Sequence, residues 1–158
     1  MTLFLDCDGV LAGFDEYGES LFGMPPREYE TLHGQSKFWT TIEAHEDFYF
    51  KLPVRPDGQK LYDAVKHLNP IILTGCPDDA EWSRNQKLRW AEKHFPETKM
   101  ICVPSPDKRI HSKPGDILID DYLKYKDRWI EWGGIFIHYQ NTDQALRELS
   151  IYESGIIE

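Results

Sequence analysis

Cationic side chains are in short supply in this sequence: 18 Lys and Arg stand against 27 Asp and Glu, for a net charge of −9 at neutral pH. That balance excludes general binding to duplex nucleic acid, which needs a basic face. It still permits a small phosphorylated substrate held by a local cation and a few amides. Long apolar runs are missing too: none approaches the roughly 18 residues of a membrane helix. The amino terminus carries no basic, apolar, small-residue leader pattern, so the cytoplasm is the expected compartment and no membrane partner is expected. Cysteine is limited to Cys7, Cys76 and Cys102. An odd number without zinc-type spacing argues for reduced thiols that pack, and against a disulfide framework or a zinc site. The six histidines are scattered and offer no ligand spacing. Internal repeats and low-complexity tracts are absent. With 41% apolar and 28% charged residues over 158 positions, the chain reads as one globular domain with room for a small insertion.

The chain is organised around its first stretch, Thr2 to Leu11. An apolar run of strand length stops at two carboxylates one residue apart, Asp6 and Asp8, followed by Gly9. A short run bounded in this way suits a buried strand of a parallel sheet. In such sheets ligands collect at the carboxyl ends of the strands, so both acids would stand at the mouth of a site. Acids that close repel unless a cation lies between them, and Mg²⁺ favours carboxylate, water and phosphate oxygens. The competing reading is an ordinary acidic Asp-Gly turn.

Residues 14–53 differ in character, being rich in aromatics and broken by Gly23, Pro25, Pro26 and Gly34. They are expected to form a small helical cap inserted into a core made of 1–13 and 54–158, with short helices over Pro26 to Leu32 and Thr40 to His45. Most of the aromatics would form the cap's own core, and Phe14, Phe38 and Trp39 are the candidates to face a ligand. Beyond the linker at Leu52 to Gly58, Leu61, Ala64, Val65 and Leu68 predict a helix. Strands are predicted at Ile71 to Leu73, Met100 to Val103, Ile117 to Ile119 and Gly134 to His138. Between them fall a helix capped by Asp78 or Asp79, with Leu88, Ala91 and Phe95 on one face, a polar loop from Pro104 to Gly115, and a helix from Tyr122 to Trp132. Asp143 to Tyr152 closes the chain as a helix. Trp82, Trp90, Trp129 and Trp132 read as packing residues. Strand alternating with helix predicts a five-stranded parallel sheet with right-handed crossovers, an α/β three-layer sandwich.

Three of these strands end in Asp6-Cys7-Asp8, in Thr74-Gly75 and in Asp120-Asp121. A parallel sheet gathers those ends on one edge. Together they supply a carboxylate nucleophile, a proton shuttle, a metal cage and phosphate donors, the components of phosphoryl transfer.

At this point the sequence resembles the haloacid-dehalogenase (HAD)-type phosphohydrolases, with their Rossmann-like fold. The family's Asp-x-Asp-Gly-[Val/Thr] matches at Asp6 to Val10, its strand ending in Thr or Ser at Thr74, its lysine in the loop after the third strand, and its Asp-Asp at Asp120-Asp121. Asp8 to Phe14, Phe38-Trp39 and Leu118 to Asp121 are similar, more narrowly, to the 5′(3′)-deoxyribonucleotidase branch. The insertion here is shorter than in that branch. Gly75-Cys76-Pro77 also stands where the branch tends to carry Ser or Thr with a lysine soon after.

The resemblance implies that Asp6 attacks phosphorus and that Asp8 protonates the leaving oxygen and then activates water. It implies Mg²⁺ held by Asp6, the Asp8 backbone carbonyl and Asp120, with Asp121 behind them, and phosphate oxygens held by Thr74, Gly75 and a lysine. Lys108 fits the Asp-Lys pattern; Lys113, nearer the fourth strand, is the alternative. The substrate implied is a small phosphomonoester, a nucleoside monophosphate first, with sugar phosphates or nucleic-acid ends as alternatives. A phosphate-binding module without turnover is the reading from another class. The protein would be a monomer or a homodimer.

Overall fold

A computed structural model of the chain describes residues 1–77 and 80–154. Five short strands form a single parallel sheet: β1 (Leu3–Leu5), β2 (Ile71–Gly75), β3 (Met100–Val103), β4 (Ile117–Asp120) and β5 (Ile135–His138), in the order β3-β2-β1-β4-β5. The strands are apolar on both faces, as a sheet covered on both sides requires. Leu3, Leu5, Ile72, Ile117, Ile119 and Ile137 belong to one core. Phe4, Leu73, Leu118 and Val103 belong to a second, smaller core closed by Trp129. The alternation follows directly from the two-residue period of a strand. At the sheet's lower end the buried Asp116 ties β1 to β4, accepting from Thr2 N at 2.8 Å and Lys113 N at 2.7 Å.

The chain leaves β1 on one side to make β2 and β3, then crosses back to make β4 and β5. The carboxyl ends of β1 and β4 therefore flank the point where strand order reverses, which is where open α/β sheets build ligand sites.

Between β1 and β2 come α1 (Phe14–Phe22), α2 (Pro26–His33), α3 (Gln35–Ala44) and α4 (Pro56–Val65). Gly23 ends α1 with φ 74° and donates back to Glu19 O, while Pro26 opens α2 at a position where its missing N–H costs nothing. The third helix starts five residues before the predicted Thr40, since Gln35, Ser36 and Lys37 are exposed and carry no apolar signal. Phe14 meets Phe48 edge-on at 5.6 Å and Phe38 at a tilt at 6.4 Å, Phe38 stacks on Phe22 at 5.3 Å, and these rings form the centre of this helical stretch.

The first turn of α4 packs directly on the loop after β1. A Cβ at Gly58 would stand 2.3 Å from the Val10 carbonyl oxygen and 2.8 Å from Leu11 Cα. Alanine would gain about 0.5–1 kcal/mol of helix propensity, yet the clash is with backbone and cannot be relieved by a rotamer. Gly58→Ala is therefore expected to lower unfolding free energy by about 1–3 kcal/mol in urea titrations. An unchanged or raised midpoint would show that α4 does not press on this loop.

Further along lie α5 (Glu81–His94), α6 (Lys126–Glu131) and α7 (Thr142–Leu149). The predicted cap for α5, Asp78 or Asp79, lies outside the described residues. The face predicted for α5 is partly wrong. Leu88 is 43% exposed, and the buried face carries Ser83, Lys87, Trp90 and Ala91. A charged residue thus occupies a core-facing position that an apolar pattern cannot reveal. The helix predicted from Tyr122 to Trp132 is confined to α6, and Trp132 is 47% exposed, not a core residue. The loop from Pro104 to Gly115 contains a 3-10 helix, Ser105–His111. The last helix begins at Asn141, which exchanges side-chain bonds with Gln144 in a capping box. Among the described residues no helix is long and apolar enough to cross a membrane.

Candidate active site

Asp6 follows β1 immediately, and its N–H donates to Ile119 O of β4 at 2.9 Å, fixing it at the junction of the two strands. The chain then coils on a single acceptor: the amides of Val10, Leu11 and Ala12 all donate to Cys7 O, at 3.2, 2.8 and 2.9 Å. Gly9 makes that coil possible. Its φ is +86°, and a Cβ there would lie 2.1 Å from Asp121 Oδ2. Arg55 clamps the same loop, donating to Gly9 O at 2.9 Å and Val10 O at 3.2 Å while pairing with Glu16 at 3.1 Å. Nothing in the sequence pattern marks Arg55 for this part.

Asp120 ends β4 and Asp121 follows it. Carboxylate oxygens of Asp6, Asp120 and Asp121 all lie within 4.8 Å of one another. Asp6 and Asp120 are buried, Asp121 partly so. Burial, then repulsion from Asp120, raises the Asp6 carboxyl well above the usual range, with Lys108 pulling the other way. The same two causes push Asp121 up to about 7. Three acids are crowded here against one ammonium, an arrangement that disfavours its own negative charge. An all-oxygen donor set of this kind fits Mg²⁺, which would relieve that repulsion.

Lys108 rides on the 3-10 helix that follows β3. Its Nζ donates to Asp6 Oδ1 at 2.7 Å and Asp120 Oδ2 at 3.0 Å. Burial alone would lower its pKa, but the charges of Asp6 and Asp120 outweigh burial and hold it above the ordinary lysine value. Lys113 is exposed and sits before the amino end of β4, away from Asp120 at the other end of the strand. The polarity of the sheet separates the two lysines: a loop leaving β3 starts at the site, whereas a residue entering β4 starts at the opposite edge.

Asp8 lies outside the three-acid group because its side chain meets a second buried lysine. Lys87, 3% exposed, donates to Asp8 Oδ2 at 2.9 Å, to Thr74 Oγ1 at 3.2 Å and to Gly75 O, with its Nζ 4.5 Å from the centre of the Tyr49 ring. Burial pulls the Lys87 pKa down, but Asp8 and the neighbouring acidic groups more than compensate and leave it above the ordinary value. Asp8 Oδ1 is buried with no hydrogen-bond partner among the described residues. The Thr74 hydroxyl accepts from Lys87 and so keeps its own proton to donate. Sequence reasoning missed Lys87. The signal was the lysine at one helical turn before Ala91 on the strip facing the sheet, a place where an unpaired charge would be too costly to bury.

The three acids, Asp8, Lys87 and Lys108 open into a cavity of about 720 Å³, within the size range of small-molecule sites, whereas Thr74 is buried and is not part of its lining. Asp6, Asp8, Gly75 and Lys108 line it, and so do Phe14, Phe38 and Trp39 from the helical stretch. Phe14 and Phe38 are nearly closed to solvent. Trp39 is half-buried against Phe38, ring centres 5.0 Å apart, and is the most open of the three to a ligand. Cys7 and Cys76 are buried free thiols, and burial with the nearby Asp8 charge raises the Cys7 pKa well above its usual value.

No protein-family model matches the sequence, and no curated protein does. Solved structures do share the fold. A HAD-superfamily hydrolase from Ehrlichia chaffeensis superposes with TM-score 0.53 at 14% identity, over 99% of this chain and 97% of that one. A HAD family hydrolase from Deinococcus radiodurans, solved with bound phosphate and sodium, does so with TM-score 0.52 at 12% identity, over 98% and 96%. At such identities the likeness is one of fold, and it extends over essentially the whole chain.

Proposed function

We propose that the protein is a Mg²⁺-dependent phosphatase that hydrolyses a small phosphomonoester, a nucleoside monophosphate before others, through a phosphoryl group carried on Asp6. The observation that supports this reading is the meeting of Asp6, Asp120, Asp121 and Lys108 at the junction of β1 and β4. The fold shared with HAD hydrolases agrees with it. Asp6 attacks phosphorus and the bond to the leaving oxygen breaks. Asp8, held by Lys87 through Oδ2, gives that leaving oxygen the proton it took from water in the preceding turnover. Asp8 then takes a proton from water, which attacks the aspartyl phosphate and regenerates Asp6.

Uncatalysed phosphate-monoester hydrolysis is among the slowest reactions enzymes accelerate, by up to about 10²¹-fold. Positioning supplies at most roughly 11 kcal/mol, so charge stabilisation of the phosphoryl oxygens has to supply much of the remainder. Lys108, the Thr74 hydroxyl and the Gly75 amide are the chain's own donors for those oxygens. Mg²⁺ bound by Asp6, Asp120, Asp121 and the Asp8 carbonyl would add a divalent charge at the same place.

Phosphate release from a generic aryl phosphate is expected to need Mg²⁺, to fall at least about 100-fold in EDTA and to return on adding the metal back. Turnover unaffected by EDTA would overturn the metal requirement. For base stacking, Trp39→Ala is expected to lower kcat/KM for nucleotides about 5- to 150-fold, as loss of about 1–3 kcal/mol of stacking implies, with a smaller effect on sugar phosphates. Equal losses on both would remove the nucleotide preference.

A further inference from the structure

The acidic chain keeps a group of cations at the mouth of this cavity that the hydrolytic chemistry above does not use. Arg27 from α2, Arg109 from the 3-10 helix, and Lys124 and Arg128 from the segment after Asp121 all line it. Arg27 pairs with Glu30 at 3.2 Å. Among the described residues the other three, Arg109, Lys124 and Arg128, make no ion pair within 4.0 Å.

The rim is also ordered. Lys124 Nζ and Arg128 Cζ lie 5.5 and 5.6 Å from the centre of the Tyr125 ring, and Arg27 Cζ lies 5.0 Å from that of Tyr122. The two rings meet edge to face at 6.3 Å. Tyr122 is in turn fixed to the acid cluster, because its N–H donates to Asp120 Oδ1 at 2.9 Å. The segment that ends in the acids therefore continues directly into the cationic rim. Aromatic faces hold the cations without neutralising them, which leaves their charge available to an anion.

We infer that this rim is a second anionic subsite, and that the preferred substrate is a phosphomonoester whose leaving group carries a second phosphate. The inference rests on the phosphatase reading and narrows its substrate class. Arginine suits phosphate oxygens in paired hydrogen bonds, and Lys124 adds a point charge beside them. The second phosphate is not attacked; it anchors the leaving group while the first is transferred to Asp6. It could belong to a nucleoside 3′,5′-bisphosphate or to a sugar bisphosphate.

The test compares kcat/KM for a nucleoside 3′,5′-bisphosphate with its 5′- and 3′-monophosphates, and for a sugar bisphosphate with its monophosphate. At least one bisphosphate is expected to exceed its best monophosphate by about 10-fold or more, an advantage that shrinks with added salt. The pair that shows it identifies the source. In Lys124→Ala/Arg128→Ala, and separately in Arg109→Ala, the ratio of bisphosphate to monophosphate is expected to fall towards unity whatever the absolute rates become. Ratios near one in the unaltered protein, or ratios kept in both variants, overturn the subsite. If no ester is hydrolysed, the phosphatase reading fails by itself. The same pairs titrated calorimetrically into the Mg²⁺-loaded protein then decide the subsite, by tighter bisphosphate binding that the variants lose or by its absence.

Discussion

Asp6→Asn is expected to abolish phosphate release, by at least about 10⁴-fold in kcat, while leaving a cooperatively folding protein. Asparagine matches the carboxylate in shape but cannot attack phosphorus or accept the phosphoryl group. Folding should survive because Lys108 keeps Asp120 as a partner at 3.0 Å, and because the lost charge is one that burial and Asp120 already disfavour. An amide at position 6 also leaves the Asp6 N–H bond to Ile119 O untouched. Activity should therefore vanish with near-UV circular dichroism and the thermal transition retained. An Asp6→Asn protein that still turns over would assign the nucleophile elsewhere.

Lys87→Met is expected to cost stability as well as activity. Lys87 is buried and is the cation facing Asp8, with Thr74 and Gly75 also on its ammonium. Asp8, the acid left without its cation, is 26% exposed, so the cost falls below that of a fully buried pair, at about 1–3 kcal/mol. For a chain of this size, each kcal/mol moves Tm by roughly 2–4 °C, so a fall of about 2–12 °C is expected. Lys87→Met/Asp8→Asn should recover part of it, with a coupling of about 1–3 kcal/mol in the double-mutant cycle. A single variant melting within about 1 °C of the parent, or additive effects of the pair, would show that Lys87 and Asp8 do not hold each other.

The architecture could be read because parallel strands buried on both faces leave uninterrupted apolar runs, and because three of those runs ended in polar residues. Ile71 to Leu73, Met100 to Val103 and Ile117 to Ile119 all fall inside observed strands. The convergence of Asp6 with Asp120-Asp121 followed from the parallel topology alone. What stayed hidden is what periodicity cannot encode. Lys87 on the buried strip of α5 looks like a solvated residue until its partner, 79 positions away, is known. Arg55 acts through carbonyls, which have no letter in the sequence. The start of α3 is exposed and so has no apolar signature. Choosing between Lys108 and Lys113 required only the direction of the strands, since the amino end of β4 and the carboxyl end of β3 lie at opposite edges of the sheet. That inference was available from the sequence once a parallel sheet was assumed.

The covalent step tests the central claim most directly. Protein turning over an aryl phosphate with Mg²⁺ is quenched in acid, digested and mapped by mass spectrometry. One phosphoryl group on the peptide bearing Asp6 is expected, labile to base, and missing both in EDTA and in Asp6→Asn. Steady phosphate release with no phosphorylated Asp6 at any quench time, or a phosphoryl group on another residue, would contradict the account.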